Sequence, residues 1–291
     1  MVTLDEWNAL RPQGGLLDLS AAVKLRLTGP DAQRYLNGQV SNDVRRIPDG
    51  GSLPACVCTH KGKLEAFVMI ARHGDAFLIT ADAALRDILP LRMEKYLIAD
   101  DAMLEDVTDA FDLVHVFGPH EVPAGLAITA ARTGEPGCDV WLPRDTAAGL
   151  AFTRPEAVEL LRIARGIPSW DNELSRDILP PEARLDETAI DYHKGCYTGQ
   201  EVISRLRSVG RVNRLVLPVI CDAGQPLEPG WTLTTEDGAS AGEITSAAWH
   251  PAWQTGIGLA FIKRAAMDSP LLAGPASTPL SVRKTLDDPK P

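Results

Sequence analysis

The chain has 291 residues, 45% hydrophobic, 23% charged and 5% aromatic, and its 29 Lys+Arg against 39 Asp+Glu leave a net charge of −10. That balance is too apolar for a disordered chain and too charged for a membrane bundle, and it argues against a protein that wraps DNA, since nonspecific affinity comes mainly from neutralising phosphates. The length allows about two or three domains. No run approaches the ~18 apolar residues of a spanning helix, and Met1-Val-Thr-Leu-Asp-Glu6 lacks the basic-then-apolar layout of a signal peptide, so a cytoplasmic protein is expected.

In chain order, Val23–Thr28 reads as a strand, and Gly29-Pro-Asp31 opens a helix in which Ala32, Tyr35, Leu36 and Val40 share a face; Ser41–Val44 ends it. Leu64–Ala71 and Ala76–Thr80 form a hairpin about Arg72–Asp75. Asp82 caps a helix containing Leu85, Ile88 and Leu89 that extends or kinks around Pro90 toward Leu97, and strands follow at Met103–Val107 and Phe111–Phe117. A hairpin, a helix and then strands is an α+β layout without a run of βαβ crossovers, and no glycine-rich phosphate loop is present. Residues 119–153 read as a loop region with one short strand, Val140–Leu142; Pro155–Arg165 is a helix bounded by Gly166. From Leu215 to about Val282, short β-type segments separated by turns indicate a barrel or sandwich, and the end is expected to be loose.

Five cysteines, Cys56, Cys58, Cys138, Cys196 and Cys221, make an odd and sparse set that does not suggest a disulfide framework. Cys56-Val-Cys58 with His60 carries metal-ligand atoms, but the spacing of two also fits small residues on one face of a strand. The segment Lys194-Gly-Cys-Tyr-Thr-Gly-Gln-Glu201 is richer. Thr198-x-x-Glu201 is a capping box, and Val202, Leu206 and Val209 continue at helical spacing, so a helix begins near Gly199. Cys196 then lies two residues before the N-cap, with Lys194 and His193 beside it, and a thiol so placed is expected to be drawn toward its thiolate. Gly195 and Gly199 relieve the backbone for close approach of a ligand. The alternative is a small buried cysteine in a turn and a solvated lysine.

This octapeptide resembles the signature of the YgfZ family, folate-binding relatives of the glycine-cleavage T-protein. Leu27-Thr-Gly-Pro-Asp-Ala32 with Tyr35–Val44, Leu161-Arg-Ile-Ala-Arg-Gly-Ile-Pro168 with Ile178-Leu-Pro-Pro-Glu182, and Ala241–Ser246 with Ile257–Ile262 are similar to flanking motifs of that superfamily. The resemblance implies a T-protein-like, three-domain cloverleaf around a tetrahydrofolate opening. Residues 1–204 would form the folate-binding region, with a ferredoxin-like subdomain over roughly 50–120; 205–285 would form a C-terminal β-barrel, and 286–291 a loose tail. It also implies a role in assembly or repair of iron–sulfur enzymes, including tRNA-modifying ones, with Cys196 as the functional thiol and Lys194 beside it. Gly195, Tyr197, Gly199, Gln200 and Glu201 would shape the surroundings. A folate or anion rim would draw on Asn42, Asp43, Glu65, Arg162, Arg205, Arg207 and Arg211. Partners would be folate and iron–sulfur clients or carriers, for a monomer; no resident metal is implied.

Two departures bear on chemistry. Where the T-protein carries an acidic pair, this chain has Lys61-Gly-Lys-Leu-Glu-Ala-Phe67, leaving Glu65 beside Ala66, and a one-residue shift on a strand points to the other face. Without a placed carboxylate, the general acid/base step of aminomethyl transfer has no agent. Ala164 also stands where a folate-contacting Glu is expected. The competing functions are a folate-dependent aminomethyl- or methyltransferase and an interaction scaffold.

Gly238-Ala-Ser-Ala-Gly242 matches a nucleophile elbow but is followed by strand-like residues, and so reads as a hairpin turn. Trp231, Trp249 and Trp253 are expected in the barrel core. Arg205, Arg207, Arg211 and Arg214 are either a solvated helix end or an anion rim; from His193 to Arg214 the local charge is +4.

Overall fold

A computed structural model describes residues 1–208, 210–283 and 286. Its first helix, α1 (Leu4–Gln13), starts from a capping box: the Glu6 N–H donates to Thr3 Oγ1 and the Thr3 N–H to the Glu6 carboxylate. Neither α1 nor β1 (Gly15–Asp18) is among the elements expected above, although Thr3-x-x-Glu6 spells the cap. Next come β2 (Val23–Thr28), as expected, and α2 (Ala32–Gln39). The latter begins two residues beyond Pro30; the Asp31 carboxylate makes no capping bond to the helix backbone, pairing instead with Arg34 and accepting the Asp101 N–H at 2.9 Å.

Strands β3 (Ser52–Cys58), β4 (Leu64–His73) and β5 (Ala76–Ala81) are followed by α3 (Leu89–Glu94) and β6 (Met103–Asp106). They form a sheet in the order β3-β4-β5-β2-β6, with α2 and α3 over one face. Asp82 caps only a short 3-10 turn, Ala83–Leu85, so the expected single helix is two pieces. Strands β7 (Phe111–Phe117), β8 (Leu126–Ala130) and β9 (Gly137–Pro143) join β1 in the order β1-β7-β9-β8. This corrects the reading of 119–153 as loop with one short strand. Ile128 is fully buried on β8, but in a strand of five residues rich in alanine the period-2 signal is faint.

Helix α4 (Pro155–Ala164) and the motif helix α5 (Gln200–Ser208) precede the last strands, β10 (Arg214–Cys221), β11 (Thr232–Thr235), β12 (Ser240–His250), β13 (Thr255–Lys263), β14 (Leu271–Ala273) and β15 (Thr278–Val282). These close into a barrel in the order β10-β13-β12-β11-β14-β15. Gly238, at φ 84°, makes the β11–β12 turn and Ser240 lies on β12, so no nucleophile elbow exists. Trp231 packs against the barrel core as expected; Trp253 instead stacks on His250 at 4.1 Å, against the core outside the barrel, and Trp249 lines a groove beside Met1 and α4.

That outer core ties the molecule together. Cys56, Cys58 and Leu64 from β3 and β4, Leu160 and Ile163 from α4, Tyr197 and Ile203 from the motif region, and Val216 and Leu259 from the barrel share one apolar cluster. Cys56 and Cys58 are both fully buried on this face, the strand reading of their spacing. Leu286 is also buried there and its N–H donates to Ala164 O, so this first residue of the expected loose tail is docked. Val209 and residues 287–291, for which a helical position and a loose end are expected, lie outside the described residues.

Candidate functional site

A cavity of about 330 Å³ lies between the face of the first sheet opposite α2 and the segment after α4. Phe67 and Met69 of β4 meet Trp170 and Leu174 there, giving an apolar wall, while Asp18, Asp82, Thr80 and Arg132 supply polar groups. Two buried networks hold these walls. Arg132 donates to both Asp139 oxygens (2.8 and 2.9 Å) and to Thr80 Oγ1 (2.5 Å), and His115 Nδ1 lies 2.9 Å from Asp139. Burial would push the Asp139 carboxyl up, but Arg132 and His115 pull it down to about 2. The segment bearing Trp170 is pinned by Glu173, fully buried, which accepts from Arg162, Ser169, Thr245 and Ser246.

Arg162 therefore does not belong to a ligand rim: its guanidinium is spent on Glu159, Glu173, Ser246 and the Ile167 carbonyl, joining α4 to the barrel. Glu65 is also corrected. The β3–β4 ladder pairs Val57 with Ala66 but Cys58 with Leu64, leaving Glu65 as the extra residue of a bulge. The bulge turns Leu64 to the central core and Glu65 to the helices, where Arg92 of α3 donates to it at 2.5 Å. Arg92 also holds Gln39 and the Cys58 carbonyl. Glu65 is thus a structural ion pair outside the cavity lining. Ala164 is buried in the central core, so no carboxylate enters from that position either.

The octapeptide is a joint. Lys194 is buried, and its ammonium donates at 2.7 Å to each of the Asn37, Val40 and Asn42 carbonyls around the end of α2. An ammonium has three donors, and all are used. Burial pushes Lys194 down to about 8, with Asp43 opposing, so it stays protonated at neutral pH. The alternative of a solvated lysine is corrected: Lys194 is buried and closes the C-terminal end of α2. Asp191 N–H to Ser41 O (3.0 Å), Thr198 N–H to Gly38 O (3.1 Å) and Ser41 Oγ to Ala189 O (2.6 Å) stitch the same loop down. Tyr197 is inserted into the central core, 5.3 Å from the Lys194 ammonium, and its hydroxyl is buried with no partner among the described residues.

Helix α5 starts at Gln200, so the residue before it is Gly199, not Thr198. Gly199 has φ 88°, and a Cβ there would come within 2.5 Å of Thr59 O. Its freedom serves close packing on the β3–β4 turn rather than ligand approach. Gly195 stands in open space, Glu201 is exposed at the helix start beside Gln200, and Cys196 is exposed, unlike the buried Cys56, Cys58 and Cys221. The other expected rim residues are scattered. Asn42 Nδ2 donates to Pro54 O and Thr188 O, and Asp43 takes two bonds from the Arg45 side chain. Arg205 is exposed on α5, while Arg207 and Arg211 line a separate cleft. Arg132, Trp170 and Thr80 were missed by sequence reasoning. No motif marks them, and they meet only through tertiary contact.

Residues 1–124 match the family model described as GCVT N-terminal domain. The chain is 28% identical over 298 residues to an aminomethyltransferase of Rubrobacter xylanophilus, covering 88% of this chain and 78% of the relative. It is 25% identical to an aminomethyltransferase of Corynebacterium jeikeium, covering 96% and 86%. Among solved structures it is similar to the glycine cleavage system aminomethyltransferase T of Bartonella henselae, with a TM-score of 0.84, 18% identity and coverage of 97% of this chain and 88% of that one. The chain has a T-protein-like fold and GcvT-like sequence. No helix of the described residues is long and apolar enough to cross a membrane.

Proposed function

We propose that this protein is a GcvT-type folate-dependent protein that holds a reduced folate in the cavity between Phe67, Met69, Trp170 and Arg132. The observation that carries this reading is the cavity itself, lined on one side by flat or flexible apolar groups and on the other by carboxylates and a guanidinium, within a fold similar to that of aminomethyltransferases. The donor set fits the ligand. Trp170, Phe67 and Met69 suit a flat pterin. Asp18 and Asp82 accept from N–H groups of its pyrimidine edge, and Arg132, held by Asp139, faces carbonyl or carboxylate oxygens. When bound, tetrahydrofolate supplies the nitrogens that carry a one-carbon unit. This chain's part is to exclude water with the apolar wall and orient the ring through Trp170, whose segment Glu173 pins. Glu65 takes no proton-transfer role, since its carboxylate is committed to Arg92.

We also assign the region through about residue 204 to ligand binding and the barrel to its support. Titration with tetrahydrofolate, followed by tryptophan fluorescence, tests the reading. Saturable quenching that falls in Trp170→Phe and weakens about tenfold in Arg132→Gln is expected. No quenching up to about 1 mM, the weakest binding such a cavity would give, overturns it.

The exposure of Cys196 on a loop anchored by Lys194 favours a second reading, in which the protein supports assembly or repair of iron–sulfur enzymes, tRNA-modifying ones among them, through that thiol. Complementation of a deletion strain tests it: Cys196→Ala is expected to fail to restore an iron–sulfur enzyme, and full restoration removes Cys196 from the mechanism.

A further inference from the structure

A larger concavity lies elsewhere. A cleft of about 720 Å³ runs between the C-terminal half of α5, the turn around Pro181–Glu187 and barrel strand β10. Arg184, Arg207, Arg211 and Arg264 converge on it, and among the described lining residues the only carboxylates are those of Asp186 and Glu187, in a protein whose overall charge is −10. The four arginines are not equivalent. Arg184 is engaged by both oxygens of Glu187, at 2.9 and 3.0 Å. The Arg207 guanidinium lies 4.1 Å over the Tyr192 ring, which presents a flat cationic plate. Arg264 spends its Nε on the Val212 carbonyl (3.2 Å), leaving the rest of its fork, and Arg211 is exposed. Among the described residues neither Arg211 nor Arg264 is paired with a carboxylate. The opposite wall, Leu206, Val212, Leu215 and Leu217, is apolar.

These features select a ligand. Guanidinium forks match phosphate oxygens two at a time, and two unpaired forks beside an excess of positive charge call for more than one negative charge. A bare anion would leave the apolar wall and most of the volume uncovered, whereas a planar body stacks on the Arg207–Tyr192 plate. We propose that this cleft binds a nucleoside di- or triphosphate, its phosphates held by Arg211 and Arg264 and its base set against Arg207 and the leucine wall. The half-buried Asp186 carboxylate at the same cleft is an acceptor for sugar hydroxyls.

Calorimetric titration of the full chain with ADP at low salt tests the site, with adenosine and inorganic tripolyphosphate as the other arms. ADP is expected to bind, and both adenosine and tripolyphosphate to bind at least about tenfold more weakly, because each lacks one half of the recognition. Arg211→Gln, an exposed change, is expected to weaken ADP about tenfold at unchanged melting temperature, and Arg211→Gln with Arg264→Gln about a hundredfold. Absence of ADP binding at millimolar concentration, or ADP affinity unaltered in Arg211→Gln, overturns the site. Tripolyphosphate binding as tightly as ADP overturns the nucleotide assignment.

Discussion

Replacing Lys194 with Met keeps the length of the side chain and removes the ammonium that joins the octapeptide to α2. Three carbonyls, of Asn37, Val40 and Asn42, each lose a 2.7 Å charge-assisted bond in a place where Lys194 itself is only 6% exposed. Stranding a buried carbonyl costs about 1–2 kcal/mol, so the three together cost about 5 kcal/mol. Against this, the variant is relieved of carrying a buried charge. The fall of Lys194 from 10.5 to about 8 corresponds to about 3 kcal/mol. The net expectation is a loss of about 2 kcal/mol at pH 7, read from urea unfolding monitored by tryptophan fluorescence. The pH dependence has a definite sign. Because the folded pKa lies below the unfolded one, the unfolded chain holds the extra proton between about pH 8 and 10.5, and the burial penalty, complete below pH 8, fades as pH rises. The stability of wild type relative to Lys194→Met should therefore grow across that window. A variant as stable as wild type at pH 7, with a difference flat from pH 7 to 10, refutes the clamp.

Glu65→Gln is expected to lower stability by about 2 kcal/mol by breaking the Arg92 pair, while tetrahydrofolate affinity changes less than twofold; a tenfold loss of affinity would place Glu65 in the cavity after all. Gly199→Ala forces a side chain into a left-handed backbone against Thr59 O, and should cost at least about 2 kcal/mol in urea unfolding; a neutral result means that α5 does not sit on the β3–β4 turn as described. Asp139, held at about 2 although burial opposes this, contributes about 2 kcal/mol that is present above pH 4 and lost as pH falls toward 2. The stability difference between wild type and Asp139→Asn should shrink over that range, and a constant difference contradicts the pairing with Arg132 and His115. Iodoacetamide should label Cys196 before any other cysteine in the native protein, as mass mapping will show; faster labelling of Cys138 contradicts its exposure.

Local signals were legible where the sequence carried strong period or punctuation. Val23–Thr28 alternates and is bounded by Gly29, and Pro155 with Gly166 brackets α4, so both elements stand where the pattern puts them. The barrel was readable from its turns. What periodicity cannot carry is pairing. Strand β8 pairs only with β9 among the described strands, and the capping box at Thr3 is a helix signal without a marked apolar face behind it. The bulge at Glu65 is visible only once Cys58 is known to face Leu64. Simple alternation would set Glu65 on the face opposite Ala66, but the bulge brings both to the helix side, where Arg92 takes the carboxylate. Arg132 and Trp170, which enclose the cavity, come from turns with no motif and meet only because Asp139 and Glu173 hold them from behind.

The octapeptide shows why residue types near a cysteine can mislead about chemistry. A lysine two residues from a thiol suggests a cation available to the sulfur, but an ammonium has three hydrogens, and here the carbonyls of Asn37, Val40 and Asn42 at and beyond the end of α2 take all of them. The glycine expected to admit a ligand admits the Thr59 carbonyl instead, and the tyrosine expected to line a site fills the central core. Those three commitments fix Lys194, Tyr197 and Gly199 and leave Gly195 and Cys196 between them facing solvent. A thiol presented outward on a backbone so constrained can meet a macromolecular partner without a loss of loop entropy on binding. The cavity proposed to hold folate, by contrast, is lined by residues of other segments. The two candidate activities therefore rest on different parts of the fold, and Cys196→Ala should leave tetrahydrofolate binding intact. If that substitution abolishes folate quenching at unchanged melting temperature, the motif and the cavity are one site.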